Sequence, residues 1–167
     1  HRERKWNPSE KVFMGWERKR GKLREFNQLL RGKKTSYAEG ANVRAQEYGH
    51  VRYIITLDED TELVRDGARS LIGTIDHPLN RPVLDRARGV VVEGYGIVQP
   101  RTALRFHDGN TSTFAHLFGS FPGIDAYSSF VSDLHQDLFG EAIFHGKGIY
   151  DIDIIEATMM ERIPENT

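Results

Sequence analysis

VRYIITLDEDTEL, residues 51–63, runs from an apolar segment straight into three carboxylates, Asp58, Glu59 and Asp60. Val51 to Leu57 reads as a strand. Its adjacent Ile54 and Ile55 place apolar side chains on both faces, the pattern of a strand buried within a mostly parallel sheet. Carboxylates resist burial without compensation, so the acidic run belongs at the carboxyl edge of that sheet, where open α/β folds bind ligands. In an extended chain, residues two apart point the same way. Asp58 and Asp60 therefore converge while Glu59 faces away.

Working outward, GKLREFNQLLRG sets Leu23, Phe26 and Leu30 at helical spacing, with Gly32 as a C-terminal stop. WNPSEKVFMGW (Trp6 to Trp16) reads as an irregular packed entry, and residues 33–50 as a polar surface loop. Asp66 is an N-cap candidate for a helix marked by Ala68, Leu71, Ile72 and Ile75 and ending at His77-Pro78. GVVVEGYGIVQP (Gly89 to Pro100) gives one strand or two short ones. Residues 111–119 read as helical, as does Val131 to Gly140, with Val131, Leu134 and Leu138 on one stripe. AIFHGKGIYD is a short strand with a Gly-rich turn, and IDIIEATMMERI a closing helix stopped by Pro164. Strands alternating with helices predict an α/β class with a mostly parallel sheet. The whole chain, residues 1–167, reads as a single partial domain: a basic entry segment and helix over 1–34, and an α/β core over 51–167.

The 167 residues suffice for one core, and 38% hydrophobic with 28% charged residues is a globular composition. The absence of cysteine excludes disulfides and thiolate metal sites. No apolar run approaches the ~20 residues of a membrane span, which predicts a soluble chain. Residues 1–34 hold 12 Lys+Arg against 4 Asp+Glu, a net of +8, and the rest holds 11 against 20, a net of −9. Such a basic segment could bind nucleic acid or anionic lipid, meet a phosphorylated small molecule, or simply be a solvated face. The opening HRERKW and closing PENT read as cut from a longer polypeptide.

Oxygen donors alone suit a hard cation, Mg2+ or Mn2+, which completes its shell with phosphate oxygens and water. Asp58 and Asp60 are thus the metal candidates, against the plainer reading of a solvated acidic turn. Phosphatases of the haloacid dehalogenase type want Asp-x-Asp-x-Thr/Val, but here Thr61 comes one residue early. Sugar-nucleotide transferases use such a pair so that the metal neutralises a diphosphate leaving group.

MGWERKRGKLREFNQLLRG, YIITLDEDTEL, HPLNRP, GYGIVQPR and SDLHQDLFGEAIFHGKGIYDIDIIE, in this order, resemble the glycosyltransferase segment of cyclic β-1,2-glucan synthases across nearly the whole chain. That family is similar to the processive, inverting transferases of the cellulose-synthase kind. The resemblance implies a GT-A, Rossmann-like fold, UDP-glucose as donor and a glucan acceptor. It also implies a place in a large polypeptide, with this domain on the cytoplasmic face of the bacterial inner membrane.

The resemblance assigns Asp58 and Asp60 to metal and UDP-diphosphate, and makes them the catalytic candidates. It makes Lys19, Gly21, Lys22 and Asn27 donor-side candidates, the lysines meeting phosphate charge and the glycine allowing close backbone approach. FHGKG (Phe144 to Gly148) resembles the turn near the acceptor sugar, so Gly146, Lys147 and Gly148 are acceptor-side candidates together with Gln136 and Asp137. An inverting transfer also needs a general base. The family carries an Asp for this in a Ser-His-Asp stretch following PEN, so the resemblance sets the base after Thr167. That stretch, the Gln-x-x-Arg-Trp element and the first uridine-binding strand are not among these 167 residues. The expectation is a chain that does not transfer glucose alone.

Other features point less sharply. Asp133, Asp137 and Glu141 recur every four residues, as a second metal site or a solvated face, and His135 has no partner at zinc-site spacing. The pairs Gly94/Gly96 and Gly146/Gly148 lack the third glycine of a dinucleotide fingerprint. Phe114, Phe118, Phe121 and Tyr127 could stack on sugars or pack a core. Arg18, Lys19, Arg20, Lys22 and Arg24, with Phe13 and Trp16 before them, would also suit a nucleic-acid module. The acidic edge argues against one, so nucleic acid is not an expected partner. A non-catalytic fragment self-associating through exposed sheet edges is the remaining alternative.

Overall fold

The computed structural model describes residues 1–37, 48–100, 113, 138, 139 and 144–159. The chain divides into two compact units, one of residues 1–98 with 146–167 and one of residues 99–145. Within the second, the His145 amide donates to Gln99 Oε1 at 2.9 Å. The helices read at 111–119 and 131–140 fall there, with Thr113, Leu138 and Phe139 helical and the other positions outside the described residues.

The first unit opens with a hairpin where the sequence suggested an irregular entry. Strands β1 (Arg4–Asn7) and β2 (Val12–Gly15) pair antiparallel, with Trp6 opposite Phe13. Asn7 supplies the turn: its Oδ1 accepts from the amides of Ser9 and Glu10. Trp6 and Phe13 meet edge to face with centroids 5.2 Å apart. Both stay more than half exposed, so this entry is paired rather than packed.

Helix α1 (Arg18–Leu30) follows. Its stop is the one the sequence announced. Gly32 sits at φ 72, its amide bonds Leu29 O, and the Lys33 amide bonds Gln28 O. Those two bonds are the paired closure of a Schellman cap, which needs a residue that tolerates a left-handed conformation.

The central sheet has the order β3 (Tyr53–Thr56), β7 (Gly148–Asp151), β6 (Ile97–Val98). Strand β7 is buried along its whole length, and alternation divides its side chains. Ile149, level with Ile55 and Val98, packs on Leu71 and Ile75 of helix α2 (Gly67–Ile75). Tyr150, level with Ile54 and Ile97, turns to α1, where its hydroxyl donates to Asn27 Oδ1 at 2.8 Å. Burying a side chain such as Ile149 contributes roughly 1.5–3 kcal/mol. A helix engaged from each face of a sheet is an α/β arrangement.

The sheet direction differs from the sequence reading. Every strand pair among the described residues is antiparallel, including a two-stranded sheet of β4 (Val83–Asp85) and β5 (Val90–Glu93). Adjacent isoleucines signal burial on two faces, and a central antiparallel strand covered from both sides satisfies that as well as a parallel one. Helix α2 begins after Asp66 as read, but Asp66 lies at φ 60 and its side chain makes no capping bond. A 3-10 turn at Pro78–Asn80 ends that region. Helix α3 (Ile152–Thr158) starts directly from β7, capped by Asp151 Oδ1 accepting from the Asp153 and Ile154 amides.

Candidate functional site

The antiparallel pairing of β3 with β7 builds the site. Thr56 faces Gly148 in the register, so the chain leaving β3 toward Asp58 runs alongside the chain entering β7 through Gly146 and Lys147. A parallel pairing would have put that Gly-rich turn at the far end of β3. Asp58 is the focus. Lys19 Nζ of α1 donates to its Oδ1, and Lys147 Nζ lies 3.5 Å from its Oδ2. The Asp58 carboxyl is held below its usual range, first by the Lys19 hydrogen bond, then by the positive charges of Lys19 and Lys147 outweighing desolvation.

Gly146 explains how Lys19 reaches in. It is buried at φ 77, and a Cβ built there would stand 3.0 Å from Lys19 Nζ and 3.1 Å from its Cε. The bare backbone is the seat of the lysine tip. Side-chain exposures of 40% for Lys19, 35% for Asp58 and 32% for Lys147 leave all three open to a ligand from solvent.

The other sequence candidates scatter around this point. The Thr61 amide closes a turn on Asp58 O at 3.1 Å, so residues 58–61 do not continue the extended geometry that aligned Asp58 with Asp60. Asp60 is exposed, and its Oδ1 accepts from Thr61 Oγ1 at 3.4 Å. Gly148 opens β7 at φ 139, with its carbonyl 3.5 Å from Thr56 Oγ1. Lys22 is exposed on α1. Gly21 is buried with its bare Cα against the Trp16 carbonyl, a close approach that belongs to the helix entrance. Asn27 is fully buried, bonded to Tyr150, and among the described residues its Nδ2 has no partner. Burial pushes the Tyr150 hydroxyl up to about 12 against the lowering bond from Asn27. Gln136, Asp137, Asp133, His135 and Glu141 lie outside the described residues, as do Phe114, Phe118, Phe121 and Tyr127. Thr167, after which the resemblance sets the general base, also lies outside the described residues.

Part of the basic segment is matched by ion pairs within the chain. Arg18 pairs with Glu10, Arg20 with Glu17, and Arg2 with Glu25 at 3.0 Å. Across to α3, Arg31 meets Asp153 at 2.6 Å and Lys33 meets Glu156 at 3.5 Å. Arg24 lies over the Trp16 ring, 5.4 Å from its centroid. The convergence of Lys19 with Lys147 was not legible in the sequence, which set them on opposite sides of a donor–acceptor pair. The antiparallel register brings Lys147 beside Asp58, and α1 brings Lys19.

A hard cation asks for oxygen donors, and two carboxylates plus phosphate oxygens meet that demand for magnesium. Asp58 and Asp60 are of that donor type, but the turn over residues 58–61 does not align them and both Asp58 oxygens are engaged by ammonium groups. Among the described residues, no group of three or more His, Cys, Asp or Glu side chains is arranged to hold an ion. No described helix is long and apolar enough to cross a membrane.

No family model matches the chain. Among characterised proteins, it is 47% identical over 168 residues to the cyclic β-(1,2)-glucan synthase NdvB of Rhizobium meliloti (strain 1021). The match takes in 99% of this chain and 6% of that protein's length, so the chain spans a small segment of its relative. The likeness read from the ordered motifs holds along the whole chain.

Proposed function

We propose, from its likeness to a segment of a cyclic β-(1,2)-glucan synthase, that this chain is the donor-binding part of an inverting glycosyltransferase. It would take glucose from UDP-glucose toward a glucan acceptor, building cyclic β-1,2-glucan within a larger polypeptide at the cytoplasmic face of the inner membrane. The observation that carries the reading is the meeting of Lys19, Lys147 and Asp58 at the carboxyl end of β3. Two ammonium groups within reach of one carboxylate supply the charge that a diphosphate needs. A GT-A-like sheet completed by further strands is part of the same proposal.

In this reading Asp58 and Asp60 hold Mg2+ or Mn2+. When bound, the cation supplies Lewis-acid neutralisation of the departing diphosphate. Lys19 and Lys147 orient the phosphate oxygens, and Gly146 keeps the approach free of side-chain bulk. Lys22 adds positive charge on the same helix. Asn27 acts from beneath by fixing α1 to β7 through Tyr150. Gly21 seats α1 against Trp16, while Gln136, Asp137 and Gly148 belong to the acceptor side. The general base is assigned to a residue following Thr167 in the larger polypeptide, so binding rather than turnover tests the proposal.

Calorimetry with UDP and Mn2+ on this chain, beside Asp60→Asn, is the direct experiment. Metal-dependent UDP binding that the variant loses supports the site, and equal binding by both rejects Asp60 as a ligand. A second reading rests on β3 and β6 being the outer strands of the described sheet. Such edges invite pairing between chains, and sedimentation showing a monomer at all concentrations would reject it.

A further inference from the structure

The hairpin of β1 and β2 leaves large apolar side chains open to solvent: Trp6 is 53% exposed, Val12 46% and Phe13 65%. Directly opposite residues share a face of an antiparallel pair, so Trp6 and Phe13 lie on one face with Arg4, and Val12 on the other with Lys5. We propose that this hairpin is a docking finger for an anionic lipid surface, its apolar side chains entering the headgroup region and its cations meeting the lipid phosphates. The proposal stands apart from the diphosphate site and does not depend on it.

Charge and shape carry the argument. Arg4, Lys5 and Lys11 are exposed, and among the described residues no ion pair engages them. Of the acids in residues 1–15, Glu10 is answered by Arg18, which leaves Glu3 against those cations. Aromatic rings beside Lys and Arg suit the depth of lipid headgroups, where a ring is half dry and a cationic tip reaches phosphate. Each Lys or Arg near an anionic leaflet tightens binding roughly fivefold.

Other occupants fit the hairpin less well. Trp6 and Phe13 meet edge to face at 63° with centroids 5.2 Å apart, which makes a wedge rather than the flat platform on which a nucleic-acid base stacks. A neutral sugar would leave Arg4, Lys5 and Lys11 unanswered. A second copy seated on the same patch by two-fold symmetry would set those cations against their own counterparts. The finger is also held to the body: Arg18 pairs with Glu10 of the turn, and Arg2 donates to Trp16 O at 2.9 Å and Glu25 Oε2 at 3.0 Å. It can meet a surface without refolding.

Vesicle flotation of the 167-residue chain tests this with phosphatidylcholine alone and with phosphatidylcholine/phosphatidylglycerol mixtures. The chain floats with the anionic vesicles, stays behind with the neutral ones, and releases as salt is raised. Lys5→Gln/Lys11→Gln loses about 25-fold in partitioning, two charges at roughly fivefold each. Trp6→Ser/Phe13→Ser weakens binding with every charge in place. Arg86→Gln/Arg88→Gln, which removes two charges from the turn between β4 and β5, leaves partitioning unchanged. In a Trp16→Phe chain, brominated lipid quenches the remaining tryptophan, Trp6. The replaced side chains of the hairpin are exposed, and circular dichroism confirms that each variant is folded. Anionic vesicles that bind nothing overturn the proposal, as does binding that the hairpin variants leave unchanged or that the Arg86/Arg88 variant weakens as much. Salt-sensitive binding of a single-stranded oligonucleotide without vesicle binding overturns it in favour of nucleic acid. Dimerisation lost in Trp6→Ser/Phe13→Ser without vesicle binding overturns it in favour of a second copy. Any of these failures leaves the diphosphate reading standing, because UDP calorimetry tests that separately.

Discussion

Replacing Gly146 by alanine tests the site's construction without touching a charge. The backbone there lies at φ 77, and holding an L-residue in the left-handed region costs roughly 1–2 kcal/mol. The new methyl would also stand 3.0 Å from Lys19 Nζ and 3.1 Å from Cε, pushing the lysine tip off Asp58. That pair is about a third exposed, which limits its loss to ~0.2–1 kcal/mol. The two contributions give a destabilisation of about 1–3 kcal/mol, read from urea unfolding midpoints at constant m-value. A cycle with Lys19→Ala separates them. With the lysine removed, Gly146→Ala keeps its backbone penalty and loses the steric part, leaving a coupling of up to ~1 kcal/mol between neighbouring sites. Two results would refute the reasoning. A Gly146→Ala loss under about 0.5 kcal/mol is incompatible with a left-handed alanine, and zero coupling would show that Lys19 does not rest on Gly146.

Three further outcomes follow from the fold. Gly94 lies at φ 70 with its bare Cα against the Arg81 carbonyl; Gly94→Ala meets backbone that cannot swing aside, and urea unfolding should show a loss of about 2–3 kcal/mol. Tyr150→Phe leaves the buried Asn27 carbonyl without its donor and costs about 1–3 kcal/mol, while Asn27→Leu/Tyr150→Phe removes both polar partners and recovers part of that loss in the same assay. At Glu25, burial raises the carboxyl, yet the hydrogen bonds from Ser36 and Arg2 together with the Arg2 charge bring it below the usual 4.5. Its folded value is depressed, so its contribution is present above about pH 4.5 and fades as pH falls below it; Glu25→Gln should flatten the acid limb of stability measured by urea titration across pH.

What the sequence disclosed, and what it withheld, follows the range of each signal. The α1 stop at Gly32, the α2 face through Leu71 and Ile75, and the burial of Ile54 are carried by residues within one turn or one strand, and local sterics decide them. Strand direction is not local. Two adjacent isoleucines report cover on both sides of β3 and say nothing of whether its neighbour runs up or down. The hairpin at Trp6–Phe13 stayed hidden because its faces are exposed, so the apolar alternation that marks a half-buried strand is missing. The position of Asp58 just past β3 was legible, because the apolar run that marks the strand ends at Leu57. The partners that define its environment come from 39 residues upstream and 89 downstream in the chain, and the register of β3 on β7 together with the placement of α1 assembles them.

Part of the opposed charge of the two stretches of sequence is joined by ion pairs. Residues 1–34 carry an excess of +8 and the remainder −9, and three ion pairs among the described residues join the two. Arg31 and Lys33 at the end of α1 bind Asp153 and Glu156 of α3, and Lys19 at its start binds Asp58. One helix is therefore a cationic strut, tied to acidic groups near both its ends and to Tyr150 through Asn27 in its last turn. The α3 end is joined by side chains of one helix to another and has only a fixing role. The β3 end differs: a second ammonium group, Lys147 Nζ, stands 3.5 Å from the same Asp58 carboxylate. The strut is thus held by separate ion pairs at the α3 end and by two ammonium groups on one carboxylate at the β3 end.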